Sequence, residues 1–379
     1  MKTSPISLLL AARLWAVIAL LLLTSTAQAD PPPGTPSSTK SDDLRRFEFH
    51  RKQMGVPFAV AFYACDEEAA NKAISAVWSR IEHLNSLMSD YDSNSELMRL
   101  CRDSGPGKPI EVSTELFFVL SKSIEVSKLS DGAFDVSVGP LIKQWRRARR
   151  QKELPDQQQL SEARTLVGFK NIQLCRTGTP GRRLTDSNFP TGKFVGQECP
   201  TYESGTVELL KPGMKLDLGG IAVGYACDEA IKVLKTHGIH RAMVDGSGDI
   251  VLSDPPPGEC GWRIGIASVR EPDTEPTLFV QLTNCSISTS GDAFQFVELG
   301  GQRYSHIVDP KTGLGLANRC SVTVIAPDGI TADALATAVS VLGPERGLKL
   351  IESQPCTSAL FAILNGEKLD SRRSSRFNW

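Results

Sequence analysis

Several signals that would assign this 379-residue chain to a common class of protein are missing from it. The formal net charge is only −1, and no basic stripe with interleaved aromatic residues is present, which argues against nucleic acid as a partner. The nine cysteines form neither a CxxC motif nor a zinc-ligand spacing. No internal repeat is present either.

The first thirty residues have the features of a targeting segment. Arg13 is followed by the apolar run Leu14–Leu23, which is too short for a comfortable membrane span. Ala27-Gln28-Ala29 matches a small-x-small cleavage site, and the absence of a cysteine there argues against a lipoprotein. We therefore expect a signal peptide over residues 1–29 and export to the periplasm or the cell-envelope side of the inner membrane. An uncleaved N-terminal membrane tether is the alternative.

Composition divides the remainder of the chain. Residues 30–45 are rich in Pro and Ser and predict a tether that buries no core. Residues 46–379 are long enough for one large domain or two small ones. Within them, about 176–203 lacks a hydrophobic period and predicts a surface insertion. Cys175 and Cys199 flank the insertion, so a disulfide that closes it is plausible, although sequence does not define the connectivity.

Hydrophobic periodicity predicts strands and helices that interleave without strict βαβ alternation. This favours an α+β fold over a doubly wound sheet. The predicted helices cover about 70–84, 116–129, 141–150, 160–167, 222–237 and 332–342, with a short helix after Ser95. The predicted strands lie at about 56–64, 241–251, 262–267, 278–282, 295–299 and 321–325, with two more between 207 and 218.

The segment Lys215–Asp228 reads as a strand, a glycine turn and a helix that begins near Ala222 and ends at Gly238. Such a turn directs backbone N–H groups and a positive dipole end at one point, which suits a phosphate. Many strand-to-helix turns carry glycines for packing alone, so this reading depends on the segments that follow.

Asp333 and Thr337 lie at positions i and i+4 of a predicted helix and share one face. Their hard oxygens suit Mg²⁺ when a phosphate completes the shell. Ordinary helix capping by Thr331 or Asp333 is the alternative.

His306 stands next to Asp309-Pro-Lys-Thr-Gly313, a sequence typical of a turn. A histidine in this position can act as a general base, or it can be a structural hydrogen-bonded histidine. Tyr91, in a polar loop, can stack on a flat ring or remain a half-buried surface residue.

Two further loops and one charged run allow simpler interpretations. Ser288–Asp292 is dense in donors and can bind phosphate or ribose, or can open a hairpin. Asp245–Ile250 is rich in glycine but lacks the full GxGxxG and a following helix, so a Rossmann site is excluded. The run Arg146–Arg150 predicts a solvated helix face.

The order of these motifs resembles the ApbE family, the Mg-dependent FAD:protein FMN transferases. The resemblance extends from about Met54 to the C-terminus and skips the insertion. It is carried by Met54-Gly55, Ser89-Asp-Tyr91 with Ser95-Glu-Leu97, Asp131-Gly-Ala-Phe-Asp135, Leu216–Tyr225, Thr289-Ser-Gly-Asp292, His306–Gly313 and Asp333-Ala-Leu-Ala-Thr337.

The resemblance implies a single α+β domain of the T-fold-like ApbE type, FAD as the bound substrate, Mg²⁺, and an acceptor flavoprotein such as a redox-complex subunit. It implies that Asp333, Thr337 and the Gly220 carbonyl bind the metal and that His306 is the base. The positions that match FAD-lining residues are Met54, Tyr91, Ala133, Phe134, Asp135, Asp217 and Val308. Val223 is a further lining position, where the family usually has a charged residue, often Lys or Glu.

Three functions remain open at this point. The first is transfer of FMN from FAD to a Thr or Ser hydroxyl of a target protein. The second is hydrolysis of FAD to FMN and AMP at the same site. The third is non-catalytic flavin binding, which the apolar residue at position 223 keeps open.

Overall fold

The computed structural model describes residues 44–176, 204–271, 274–291 and 296–378. None of the helices in these ranges is both long enough and apolar enough to cross a lipid bilayer. The helices are α1 Glu67–Met88, α2 Glu96–Asp103, α3 Thr114–Leu129, α4 Gly139–Gln151, α5 Gln157–Thr165, α6 Ala222–Thr236 and α7 Gly329–Ser353, which is interrupted at Gly343. The strands are β1 Arg45–Gln53, β2 Val56–Ala64, β3 Ile110–Val112, β4 Ile172–Arg176, β5 Gly205–Leu209, β6 Ala242–Asp245, β7 Asp249–Leu252, β8 Trp262–Ile266, β9 Leu278–Leu282, β10 Ser286–Gly291, β11 Phe296–Leu299, β12 Gln302–Ser305, β13 Arg319–Ala326, β14 Ser358–Asn365 and β15 Lys368–Arg373.

One antiparallel sheet of eight strands organises the fold, in the order β1-β2-β6-β7-β10-β13-β14-β15. The outermost strands are therefore β1 and β15. The remaining strands of the described ranges form a three-stranded sheet, β3-β5-β4, and the hairpins β8–β9 and β11–β12. Helices and antiparallel sheets thus combine as the α+β prediction required, and that prediction is confirmed.

The core has three parts. The largest lies between the eight-stranded sheet and helices α1, α6 and α7, and it includes Phe62, Ile81 and Leu335, each at most 1% exposed. The β8–β9 hairpin covers a second cluster around Trp262. A third cluster joins α4 and α5 through residues that include Trp145. The site described below lies where α6 and α7 meet, within reach of α4.

Local capping explains why several helices begin or end where the sequence predicted. Ser113 accepts a hydrogen bond from Leu116 N–H at the start of α3, and Ser95 accepts one from Met98 N–H at the start of α2. Helix α6 begins at Ala222, ends at Thr236, and is followed by Gly238 at φ 76°, as predicted.

Two strand predictions were wrong in detail. Residues 241–251 form the hairpin β6–β7 rather than one strand, because the chain reverses at Gly246–Gly248. Between 207 and 218 only β5 is a strand. Leu216 and Leu218 are buried in alternation, but the backbone bonds elsewhere, with Leu216 N–H directed at the Cys101 sulfur and Asp217 N–H at the Val136 carbonyl. The alternation of apolar residues therefore reflects burial here, although the segment does not pair with a neighbouring strand.

For the segment Ser288–Asp292 the sequence left a ligand-binding loop and a hairpin entry open, and its described part lies in a strand. Residues 286–291 are strand β10, paired with both β7 and β13. Its donors are used internally: the Ser288 hydroxyl donates to the Asp249 carboxylate, and the Thr289 hydroxyl lies 3.0 Å from that of Thr323. Asp292, the leader and tether to residue 43, Cys199 and most of the insertion lie outside the described residues.

Candidate active site

The start of α6 lies directly against α7 at two glycines. A Cβ on Gly224 would be 2.2 Å from the Gly329 carbonyl oxygen, and one on Gly220 would be 2.8 Å from the Thr337 hydroxyl oxygen. Only residues without a side chain allow this approach. The Gly224 N–H also donates a 3.1 Å hydrogen bond to the Asp333 carboxylate. The glycine motif therefore brings Gly220, Asp333 and Thr337, the three residues predicted to bind metal, into one place.

The N-terminus of α6 offers fewer N–H groups for a phosphate than its sequence predicts. The Ala222 N–H donates to the Leu218 carbonyl at 2.9 Å, and the Gly224 N–H is directed at Asp333. Two of the first three N–H groups of the helix are thus used inside the protein. The positive end of the helix dipole remains at this position.

Carboxylates that are buried or half-buried concentrate around the α6–α7 junction. Burial raises the pKa of Asp333 well above its ordinary value, and the charge of Asp249 adds to the rise. Burial also raises the pKa of Asp249 to about 7, although the Ser288 hydroxyl donates to it. The pKa of Asp228 is raised to about 7 by burial and then by the charge of Asp328. This concentration of negative charge favours a bound cation.

The donor atoms suit a magnesium ion that takes its remaining ligands from a substrate. Within the described ranges, no three His, Cys, Asp or Glu residues lie close enough together to hold a metal by themselves. Gly220, Asp333 and Thr337 instead offer a carbonyl, a carboxylate and a hydroxyl. Magnesium binds hard oxygens and commonly combines one or two carboxylates with substrate phosphates. A phosphate-bearing substrate is therefore the natural complement to this site.

The raised pKa of Asp249 predicts a pH-dependent stability of the metal-free protein. Its folded-state pKa, about 7, lies above the ordinary value of 3.8. Between these values the folded state holds a proton that the unfolded state has released, so stability falls as pH rises from about 4 to 7. We expect Asp249→Asn to raise the unfolding temperature in EDTA more at pH 8 than at pH 5. An equal gain at both pH values would contradict this account of the carboxylate.

Arg146 of α4 connects two of the predicted FAD-lining residues. Its guanidinium pairs with the Asp90 carboxylate, and its Nη2 lies 3.0 Å from Asp217 Oδ2. The same group covers the Tyr91 ring at 4.3 Å from the centroid. Tyr91 is nonetheless 79% exposed, so most of its ring faces solvent. The prediction that residues 146–150 form a solvated face was wrong for Arg146, whereas Arg149 and Arg150 are exposed.

Asp217 links this cluster to the metal-binding candidates. Its Oδ1 accepts a 2.9 Å hydrogen bond from Gly219 N–H, immediately before Gly220. Burial raises the pKa of Asp217 to about 6; the charge of Asp90 adds to the rise and Arg146 opposes it. Because Arg146 lies between two carboxylates that repel each other, its charge determines whether both can be ionised together.

The segment from Ala133 to Asp135 is buried and has mainly local contacts. Ala133 and Phe134 are each 4% exposed. The Asp135 carboxylate accepts hydrogen bonds from the Ser137 N–H at 2.8 Å, the Ser137 hydroxyl at 2.6 Å and the Phe169 N–H at 2.8 Å. Burial raises the pKa of Asp135, and these donors oppose the rise. The segment is enclosed in the fold and offers little surface to a ligand.

The other three predicted lining residues come from three separate segments. Met54 has φ 50° in the two-residue turn between β1 and β2 and packs against the main core. Val308 is buried in the α4–α5 cluster. Val223 lies against the β6–β7 turn, since a Cβ on Gly246 would be 2.4 Å from its Cγ1. An apolar side chain at position 223 therefore covers Gly246.

His306 is half-buried in a hairpin that continues from β12. Ser305 N–H donates to the Leu316 carbonyl at 2.7 Å, and Leu316 N–H returns to the Ile307 carbonyl at 2.9 Å. The Trp145 indole N–H donates to the Gly313 carbonyl at 2.8 Å and fixes the turn of the hairpin to α4. Helix α4 thus contacts the His306 hairpin through one residue and the Tyr91–Asp217 cluster through the next.

Sequence reasoning missed Arg146, Trp145 and Asp249. No signal separates Arg146 from the other arginines of its run, because its partners come from distant segments. Asp249 belongs to the glycine-rich segment 245–250, which lacks the full nucleotide-binding fingerprint. As the first residue of the apolar strand β7, it carried only a weak signal of burial.

Comparison with known proteins gives a consistent result. A sequence model of the ApbE family matches residues 54–361. A FAD:protein FMN transferase from Treponema pallidum is 31% identical over 298 residues, which cover 76% of each chain. The solved flavin transferase ApbE from Vibrio cholerae has a TM-score of 0.72 at 27% identity and covers 88% of this chain and 98% of its own. The flavinyl transferase ApbE from Pseudomonas stutzeri in its apo form has a TM-score of 0.70 at 26% identity, with coverage of 89% and 97%.

The family match covers most of the described residues and includes every segment of the α6–α7 junction. The α+β architecture is shared with solved relatives over nearly their whole length. This chain is therefore a member of the ApbE family.

Proposed function

We propose that this protein transfers FMN from FAD to a Thr or Ser hydroxyl of a target protein and releases AMP. The observation that carries the proposal is the α6–α7 junction. There Gly220 lies against the Thr337 hydroxyl, and the buried Asp333 carboxylate accepts a hydrogen bond from the first turn of α6. An exposed aromatic ring, Tyr91, is joined to this junction through Arg146 and Asp217. Relatives named FAD:protein FMN transferases support the same reaction.

The proposed reaction exchanges one phosphorus–oxygen bond for another. The acceptor hydroxyl oxygen attacks the FMN-side phosphorus of FAD, and the bond from that phosphorus to the bridging oxygen breaks, so that AMP leaves with this oxygen. His306 is the proposed base that takes the hydroxyl proton. The Trp145–Gly313 hydrogen bond joins the hairpin that carries this imidazole to α4.

Gly220, Asp333 and Thr337 are the proposed ligands of Mg²⁺, which when bound neutralises charge on the pyrophosphate. Asp333 also accepts a hydrogen bond from the first turn of α6, so one carboxylate orients both the junction and the metal site. The positive dipole end of α6 stabilises negative charge that develops at the same place. The open part of the Tyr91 ring is the proposed stacking surface for a flat ring of FAD.

Mass spectrometry tests the transfer directly. The protein is incubated with FAD, Mg²⁺ and a co-expressed acceptor, such as a redox-complex subunit, and the intact mass of the acceptor is measured. We expect a gain equal to one FMN phosphoester together with an equal amount of AMP. Free FMN and AMP without acceptor modification would support the hydrolase instead. FAD binding without AMP release would support a non-catalytic flavin protein.

The insertion is expected to be dispensable for FAD binding. Its two ends lie side by side, since Arg176 of β4 pairs with Gly205 of β5 in an antiparallel register. An Asn-Gly turn in place of residues 177–204 should close these strands as a hairpin. We expect the shortened protein to bind FAD with unchanged affinity in a fluorescence titration. Loss of binding in a folded variant would show that the insertion belongs to the site.

We further propose that the reaction takes place outside the cytoplasm. The leader predicted over residues 1–29 supports this, whether it is cleaved or retained as a membrane tether. The proposed acceptor is then a protein, or a protein segment, on the outer side of the inner membrane.

A further inference from the structure

Two consecutive residues of helix α4, Trp145 and Arg146, contact different parts of the site. Trp145 is buried, and its indole N–H donates to the Gly313 carbonyl in the His306 hairpin. The centroid of its ring also lies 5.0 Å from the centroid of the Tyr304 ring, near the end of β12. The next residue, Arg146, reaches Asp90, Tyr91 and Asp217. Helix α4 therefore contacts both the His306 hairpin and the loop that carries Tyr91.

The contacts of Arg146 suit a positioning role. A guanidinium has a flat face for an aromatic ring and several N–H donors for carboxylates, whereas an ammonium has no comparable plane. Arg146 uses both properties: it stacks on Tyr91 while it binds two carboxylates from different segments. Without it, the Tyr91 ring loses the guanidinium that covers it, and Asp90 and Asp217 lose the positive charge that lies between them.

We propose that Trp145 and Arg146 are positioning residues that hold the 89–95 loop, which carries Tyr91, and the His306 hairpin in fixed relative positions. Arg146 acts through Tyr91 and Asp217 on the binding of FAD. Trp145 acts through Gly313 on the placement of His306. This proposal rests on the proposed function for its kinetic consequences, but the order that Arg146 imposes on the 89–95 loop is a property of the protein alone.

The first test separates binding from transfer. We expect Arg146→Met to weaken FAD binding about tenfold, the equivalent of losing a desolvated stacking contact and its paired charges. Arg146→Lys should recover part of this loss, since it restores the charge but not the planar group. Trp145→Phe retains the ring and removes the donor, so it should lower the transfer rate about three- to tenfold with FAD affinity unchanged.

Arg149→Met is the matched control, because Arg149 is exposed on the same helix. It should change neither FAD affinity nor transfer. A double-mutant cycle then tests whether Arg146 acts through Tyr91. In a Tyr91→Leu background, Arg146→Met should reduce FAD affinity clearly less than it does in the wild-type protein. An equal cost in both backgrounds, or unchanged affinity in Arg146→Met, would overturn the role assigned to Arg146. A fall in FAD affinity for Trp145→Phe equal to its fall in rate would overturn the role assigned to Trp145.

Hydrogen exchange distinguishes failure of this proposal from failure of the proposed function. Amides of residues 89–95 should exchange faster in Arg146→Met than in wild type or Arg149→Met, all measured without FAD. Equal exchange in the three proteins would overturn the positioning role even if transfer is observed. Faster exchange in Arg146→Met in a protein that transfers no FMN would leave the positioning role supported and the proposed function rejected.

Discussion

Replacing His306 with alanine is expected to lower the rate of FMN transfer by about 10²–10⁴-fold, the range typical for a general base. FAD affinity should change far less, because the proposed binding contacts come from Tyr91, the α6–α7 junction and the metal. Initial transfer rates and FAD dissociation constants, measured side by side for wild type and His306→Ala, test this expectation.

His240→Ala is the matched control, since His240 is exposed and lies outside the site. It should leave both quantities unchanged. Unchanged transfer in His306→Ala would make His306 a structural residue. A parallel collapse of rate and affinity would instead assign it to binding or folding, and the base would have to be sought elsewhere.

Replacing Asp333 with asparagine is expected to abolish Mg²⁺-dependent transfer. Asparagine keeps an acceptor for the Gly224 N–H, so the α6–α7 junction should survive while the charged ligand is lost. Asp333→Ala removes that acceptor as well, and it should therefore cost more stability than Asp333→Asn. Transfer rates across a Mg²⁺ titration, with unfolding temperatures in EDTA, separate the two effects.

Thr337 provides a matched pair for the same site. Thr337→Ser keeps the hydroxyl and should retain most of the transfer, whereas Thr337→Val is similar in shape and should raise the Mg²⁺ concentration required. Full activity of Asp333→Asn in excess EDTA would reject the metal assignment. Equal Mg²⁺ dependence of the serine and valine variants would remove Thr337 from it.

The parts of the site that depend on local sequence could be predicted. Gly220 precedes helix α6 and Gly224 lies in its first turn, while Asp333 and Thr337 are one turn apart, so each pair is visible as a pattern. The two pairs meet because α6 packs against α7. Among the sequence observations, only the resemblance to the ApbE family predicted this contact. The structure supplies its reason, since a side chain at Gly224 would strike the Gly329 carbonyl.

The parts that depend on distant partners could not be predicted. Arg146 belongs to a run of arginines that looks uniform in sequence, and only Asp90 and Asp217 single it out. Ser288 resembles a ligand-binding donor until Asp249 is placed beside it by the pairing of β7 with β10. Strand β1 was missed because its exposed, charged residues hide the apolar alternation of Phe47 and Phe49.

The composition of the two outermost strands has a consequence for how the protein behaves at high concentration. A sheet edge presents unpaired N–H and C=O groups, which invite pairing with another molecule. Here β1 carries Arg45, Arg46, Arg51 and Lys52 among its exposed residues, and the exposed residues of β15 include Lys368, Arg372 and Arg373. Two molecules that approach edge to edge thus bring like charges together. The eight strands of the described part of the chain therefore end at edges whose charges disfavour edge-to-edge aggregation.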